Sequence, residues 1–182
     1  VSPLDVIEFP YEKSEYPAVE RDYLSYRDKK KLTMAVYLKF YGKRLPTIIP
    51  YMLTDLKERL GNDGIDLEIC YFGEAKSFRP KGGTNLGMLT KEELAQLYRR
   101  ADFGMVASLS NISLVPFEMA ATGLPVIEFA DGTFSYFFPP ESAILTEVSC
   151  EDLYRKVKLH LEQPELLEKE QANAMGYMEN LS

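Results

Sequence analysis

Residues Ser110 to Glu128 read SNISLVPFEMAATGLPVIE, and this stretch decides the fold. It reads as a polar loop, a short helix, a sharp stop and a buried strand in direct succession. Ser110, Asn111 and Ser113 are good N-cap residues, because a short side-chain oxygen can accept from an unpaired amide of the first turn. Pro116 suits that first turn, where no backbone donor is needed. Glu118 falls in the same turn, and Met119, Ala120 and Ala121 continue the helix. Gly123 is the expected C′ residue and Pro125 prevents continuation. Val126 and Ile127 then open an apolar strand. A helix start with free N–H groups and a carboxylate one turn in is able to hold a phosphate and hydroxyl groups together. The same pattern also describes an ordinary helix packed on a sheet.

Working outward, the periodicity alternates. Leu32 to Phe40 is an expected strand, rich in β-branched and aromatic residues. A loop with Lys43 and Arg44 follows, then a helix from Pro46 to Leu60 with Ile49, Met52, Leu53, Leu56 and Leu60 on one face. Ile65 to Phe72 is the next strand. A loop carrying Lys76, Arg79 and Lys81 leads to a short extended segment at Thr84 to Leu86. Thr90 with Glu93 forms a capping box for a helix whose apolar face is Leu94, Leu97, Tyr98 and Ala101. Phe103 to Ala107, Val126 to Phe129 and Ala143 to Thr146 are further strands. Phe134 to Pro140 is an aromatic loop or brief helical turn. Ser149 or Cys150 opens a helix through Leu161, and a last helix follows Pro164.

This alternation predicts an α/β fold, a Rossmann-like, doubly wound parallel sheet with helices on both faces. Ligands of such sheets lie beyond the carboxyl ends of the strands. Residues 1–30 hold little period beyond a short strand at Val6 to Phe9 and a helical turn near Arg21 to Tyr26. They are expected to be a linker or lead-in from a preceding domain, with the binding domain at 31–182.

The chain has 182 residues, 46% hydrophobic and 27% charged, with a net charge of −7. That size suits one domain with a substantial core. The charge argues against non-specific nucleic-acid binding by bulk attraction. No apolar run is long enough for a transmembrane helix, so a cytoplasmic location is expected, with a peripheral position at the inner membrane face left open. Cys70 and Cys150 have no metal or redox spacing and are expected to be reduced thiols. The one histidine, His160, sits among charged residues and is expected at the surface. No metal site of the usual zinc type is expected. Glu74, Glu128 and Asp131 stand singly at strand ends and read as loop or cap residues rather than general bases. No Walker or G-x-G-x-x-G sequence is present.

NLGMLTKEELAQLYRRADFGMVAS, followed by SLVPFEMAATGLPVIEF, resembles the C-terminal donor-binding domain of retaining glycosyltransferases of the GT-B fold. The likeness is to the family 4 group, and within it to the rhamnosyltransferase or rhamnan-synthesis branch. It covers roughly Lys31 to Ser149, and PFEMAATGLPV is its strongest part. The resemblance implies a nucleotide-sugar site. Glu118 is similar to the second of a pair of family glutamates and would hold ribose hydroxyls. The first glutamate falls at Ser110, a neutral and weaker partner for the donor sugar, which would suit a deoxysugar such as rhamnose. Amides from Asn111, Ile112, Ser113 and Leu114 would face the diphosphate, together with Lys39, Lys43 and Arg44. The base would lie against Leu86, Gly87, Met88 and Leu89.

The resemblance further implies metal-independent chemistry without cofactors. Basic side chains and the helix dipole would stabilise the departing diphosphate, and no protein nucleophile is assigned. The glycan acceptor, a polysaccharide, would be held by a missing N-terminal domain. The isolated domain is therefore expected to bind donor weakly and transfer nothing. Three alternatives stay open. One is a catalytically degenerate nucleotide-sugar-binding module, suggested by Ser110. Another is a GT-B fold nucleotide-sugar epimerase. The third is a flavodoxin-like or receiver domain, disfavoured because Lys39, Lys43 and Arg44 follow the first strand where a receiver needs acids.

Overall fold

The computed structural model describes residues 18–38, 45–107, 114–130 and 137–181. After a 3-10 turn at Tyr23–Asp28 the elements run β1 (Lys31–Leu38), α1 (Leu45–Asn62), β2 (Asp66–Phe72), β3 (Thr84–Asn85), α2 (Lys91–Arg100) and β4 (Phe103–Ala107). They continue with α3 (Val115–Ala121), β5 (Val126–Phe129), β6 (Ile144–Thr146), α4 (Cys150–Glu162) and α5 (Glu165–Glu179). The strands form one sheet in the order β3-β2-β1-β4-β5-β6, every pair parallel. This is the expected doubly wound arrangement, and its strand order is that of dinucleotide-binding sheets.

Parallel strands are buried on both faces, so they carry apolar residues at successive positions. In β1, Leu32, Met34, Val36 and Leu38 point to a core shared with Leu53 and Leu56 of α1 and with Leu153 and Val157 of α4. Ala35 points to the opposite core, built with Tyr98 of α2, Phe117 and Met119 of α3, and Met178 of α5. The same period of two runs through β2 and β5. Each large side chain so buried stabilises the fold by roughly 1.5–3 kcal/mol.

The capping box on α2 forms as the sequence predicts: Glu93 N–H donates to Thr90 Oγ1 at 3.2 Å, and Thr90 N–H donates to Glu93 Oε1 at 3.0 Å. The helix around Arg21 to Tyr26 is displaced towards the C-terminus and belongs to a segment packed on the domain. Tyr26 is buried with its ring edge-on to Phe103 at 5.5 Å, and its hydroxyl donates to Asp102 O at 2.7 Å. The Arg21 guanidinium donates to Ala101 O at 2.7 Å and to Tyr98 O, the open carbonyls at the end of α2. The strand expected at Val6 to Phe9 lies outside the described residues.

His160 departs from its expected surface position. It is buried, with Nδ1 2.7 Å from Lys156 O and Nε2 2.8 Å from Glu170 Oε2. The charged neighbours that suggested exposure flank it along α4, while the ring faces α5, which only the tertiary fold brings near. Among the described residues no helix is long and apolar enough to cross a membrane.

Candidate functional site

The chain winds from β1 to the β3 edge, then returns to lay β4, β5 and β6 on the other side. The reversal therefore lies between β1 and β4, where a doubly wound sheet opens its crevice. Leu38, the last residue of β1, is the register partner of Ala107, the last of β4. Two strand exits thus stand side by side. The sequences that follow them are 39–44 and 108–113. Lys39, Lys43, Arg44, Ser110, Asn111, Ile112 and Ser113 accordingly lie outside the described residues, as does Asp131.

Leu114 and Glu118 are described. Leu114 is the N-cap of α3, with φ −92° and ψ −7° and no side-chain cap. The structure thus differs from the expected Ser or Asn cap. Val115 and Pro116 open the helix, and Glu118 N–H donates to Leu114 O at 2.9 Å. Phe117, Met119, Ala120 and Ala121 are buried, which leaves half-buried Glu118 in the first turn. The helix ends as predicted. Gly123 has φ +85°. Its N–H donates to Ala120 O at 2.9 Å, and Leu124 N–H donates to Met119 O at 3.1 Å, the paired bonds of a Schellman stop.

The residues expected at the base, Leu86 to Leu89, leave β3 in a tightly knitted turn. Leu86 N–H donates to Tyr71 O at 2.8 Å, and Gly73 N–H donates to Gly87 O at 3.0 Å. Gly87 has φ +79°, and a Cβ there would lie 2.6 Å from Lys76 Cγ, so the Lys76 stem lies over the turn. Asn85 ties the neighbourhood together: its amide donates to Ala75 O at 2.8 Å and Phe78 O at 3.0 Å, and its Oδ1 accepts from Gly87 N–H. Leu86 and Leu89 pack on the core while Met88 is 74% exposed. Three strand spacings separate β3 from β4, roughly 14 Å. The turn is bonded to the end of β2, so it lies two to three strand spacings, roughly 10–14 Å, across the sheet edge from β4.

The sequence gives no sign of three contributions. Asn85 and Lys76 shape the turn; an Asn directly before Leu-Gly is a weak turn signal at best. Glu128 is the third. It is fully buried in β5, and its carboxylate accepts from Phe137 N–H at 3.1 Å and 3.2 Å and from Phe138 N–H at 3.3 Å. Burial pushes its carboxyl up to about 7, against the opposing pull of the two amides. A groove of about 480 Å³ lies elsewhere, along the outer side of α1, lined in part by Tyr51, Thr54, Glu58, Phe78, Arg79 and Lys81.

The profile of the WsaF C-terminal domain family matches residues 33–137, more than half of the chain. The chain belongs to this family. Among curated proteins none matches it. Several solved structures share the fold of this WsaF C-terminal domain. Sucrose-phosphate synthase from Thermosynechococcus elongatus superposes with TM-score 0.65 at 17% identity, over 94% of this chain and 46% of that one. Anabaena HepE, solved in complex with UDP and glucose, gives 0.62 at 13% identity, over 92% and 50%. The C-terminal domain of LpcC, a group 1 family glycosyl transferase from Francisella tularensis, gives 0.61 at 17% identity, over 90% and 94%. The chain spans about half the length of the first two and nearly all of the third.

Proposed function

We propose that this WsaF C-terminal domain binds the nucleoside diphosphate of a sugar donor across the carboxyl ends of β3, β2, β1 and β4. The observation that carries the reading is the pairing of Leu38 with Ala107 at the sheet's reversal, with α3 and its Glu118 following directly from β4. The diphosphate would meet Lys39, Lys43 and Arg44 on one side and the amides of Asn111, Ile112, Ser113 and Leu114 on the other. Glu118 would accept hydrogen bonds from the ribose hydroxyls. The base would lie on the Leu86, Gly87, Met88 and Leu89 turn. The roughly 10–14 Å across the sheet edge between that turn and β4 suits an extended nucleoside diphosphate. The fold shared with HepE, which was solved with UDP and glucose, supports this class of ligand.

In the complete protein we assign this half to a glycosyltransferase that moves a sugar to a polysaccharide acceptor. Ser110 at the sugar end favours a donor with fewer hydroxyls to satisfy, such as rhamnose. The same serine favours a second reading, a binding module that has lost transfer. Calorimetric titration with UDP, dTDP and GDP separates the readings from a domain with no such site. At least one should bind, and Glu118→Ala should weaken it about tenfold, as expected for losing a charged hydrogen bond. No binding by any of the three would refute the assignment. Ser110→Ala with unchanged donor binding would remove the sugar role of Ser110.

A further inference from the structure

We propose that Glu128 is a positioning residue for this site: its carboxylate clamps the backbone at Phe137 and Phe138, and through their rings braces the helix that carries Glu118. The proposal rests on the reading of Glu118 given above.

A carboxylate is out of place in a strand buried on both faces, where apolar side chains are the rule and an unpaired acid is costly. β5 is otherwise Val126, Ile127 and Phe129, all buried. Alternation puts Glu128 on the same face as Val126, the face covered by α3 and α5. Its partners are two successive backbone amides, both donating to the carboxylate. Those amides belong to aromatic residues in contact with α3. The Phe137 ring lies 5.8 Å from the Phe117 ring at 77°, and the Phe138 ring lies 5.1 Å from it at 54°. Phe138 also meets Tyr177 of α5 at 6.2 Å. Phe117 immediately precedes Glu118, so a shift of the aromatic pair acts on the first turn of α3 directly.

The clamp also responds to protonation. As an anion Glu128 offers both oxygens to the amides; as an acid it keeps one good acceptor and gains a hydroxyl to satisfy. Among the described residues, the ionisable side chains packed into the core on this face are Tyr37 of β1, Cys70 of β2, Tyr98 of α2 and Tyr177 of α5, with Glu118 of α3 and Glu170 of α5 at its margin; the remaining charged groups of α2 and α5 lie on those helices outside this core. Leu145, its neighbour on β6, is uncharged. Glu128 is bonded to none of them: its partners are the amides of Phe137 and Phe138.

Two measurements on the full chain test the proposal. The first follows the backbone amide resonances of Phe117, Glu118, Phe137 and Phe138 from about pH 5.5 to 8.5. All four should shift with one common midpoint in the wild type and stay still in Glu128→Gln. If Phe137 and Phe138 titrate while Phe117 and Glu118 do not, the clamp ends at the loop and the proposal is overturned; the wild-type series alone decides this. The second measures binding of UDP-glucose, dTDP-rhamnose and GDP-mannose, whose diphosphates do not titrate in this range. Glu128→Gln should bind about fivefold more weakly at the upper end and lose the pH dependence of the wild type. If Glu118→Gln weakens binding and Glu128→Gln leaves both affinity and pH profile unchanged, the bracing role is overturned while the site stands. If Glu118→Gln leaves binding unchanged, the site reading fails instead, and the resonances still decide whether the clamp reaches α3.

Discussion

At the scale of single residues, two carboxylates illustrate opposite outcomes of burial. Among the described residues no cation compensates Glu128, so burial outweighs its amide bonds and raises its carboxyl to about 7 from an ordinary 4.5. A raised carboxyl favours the folded state most where it is protonated in both states. This contribution is complete below about pH 4.5 and is lost as pH rises through about 7. Replacing it by Gln should therefore flatten the stability profile between those limits, by on the order of 3 kcal/mol, in urea unfolding followed across pH. Asp152 is the reverse case. Burial pulls it upward, but Glu147 N–H at 2.8 Å, Arg155 at 2.5 Å and Lys156 at 3.4 Å hold it down at about 2. Its contribution is present above about pH 3.8 and lost as pH falls through about 2. Asp152→Ala should destabilise the domain by about 1–3 kcal/mol at neutral pH, read as a lower urea midpoint with an unchanged slope.

At the scale of elements, α3 is fixed at its C-terminal end by the segment that precedes β1. Gly123 at φ +85° accepts the Tyr23 hydroxyl on its carbonyl at 2.5 Å, and a Cβ there would lie 3.1 Å from Val19 O. Gly123→Ala should cost about 1–2 kcal/mol for the left-handed backbone and loosen the segment before the 3-10 turn. Trypsin cleavage after Arg21 or Arg27 would report that loosening. Arg21→Ala should act on the same segment from α2, at about 1–3 kcal/mol, and produce the same cleavage. The stop at Gly123 and the strand behind it were legible because glycine and proline punctuate the chain through local backbone sterics. The start of α3 was less so: Ser110, Asn111 and Ser113 all have capping chemistry, but helical geometry begins only after Leu114. Local propensity names candidates for a cap; packing of Phe117 and Met119 on the sheet chooses the register. Glu128 and His160 were misjudged for a different reason. Their partners, Phe137 and Glu170, come from segments that only the tertiary fold brings into contact.

At the scale of the whole molecule, the periodicity of the sequence is enough for the sheet. Alternating strand and helix signals impose parallel strands, and the order β3-β2-β1-β4-β5-β6 puts the crevice between β1 and β4. The resemblance carried by PFEMAATGLPV and the family matched at residues 33–137 agree on the kind of domain. Composition could not reveal how the Leu86 to Leu89 turn is held, because Gly73 and Lys76 reach it from the loop that follows β2 while Asn85 holds it from the end of β3. The central claim is that a nucleoside diphosphate spans from that turn to α3. Its most direct test is calorimetric titration of the chain with UDP, dTDP and GDP, repeated on Glu118→Ala. The account predicts binding of at least one, in one-to-one stoichiometry and weakened about tenfold by the substitution. Binding by none of the three, or equal binding to the wild type and Glu118→Ala, would contradict it.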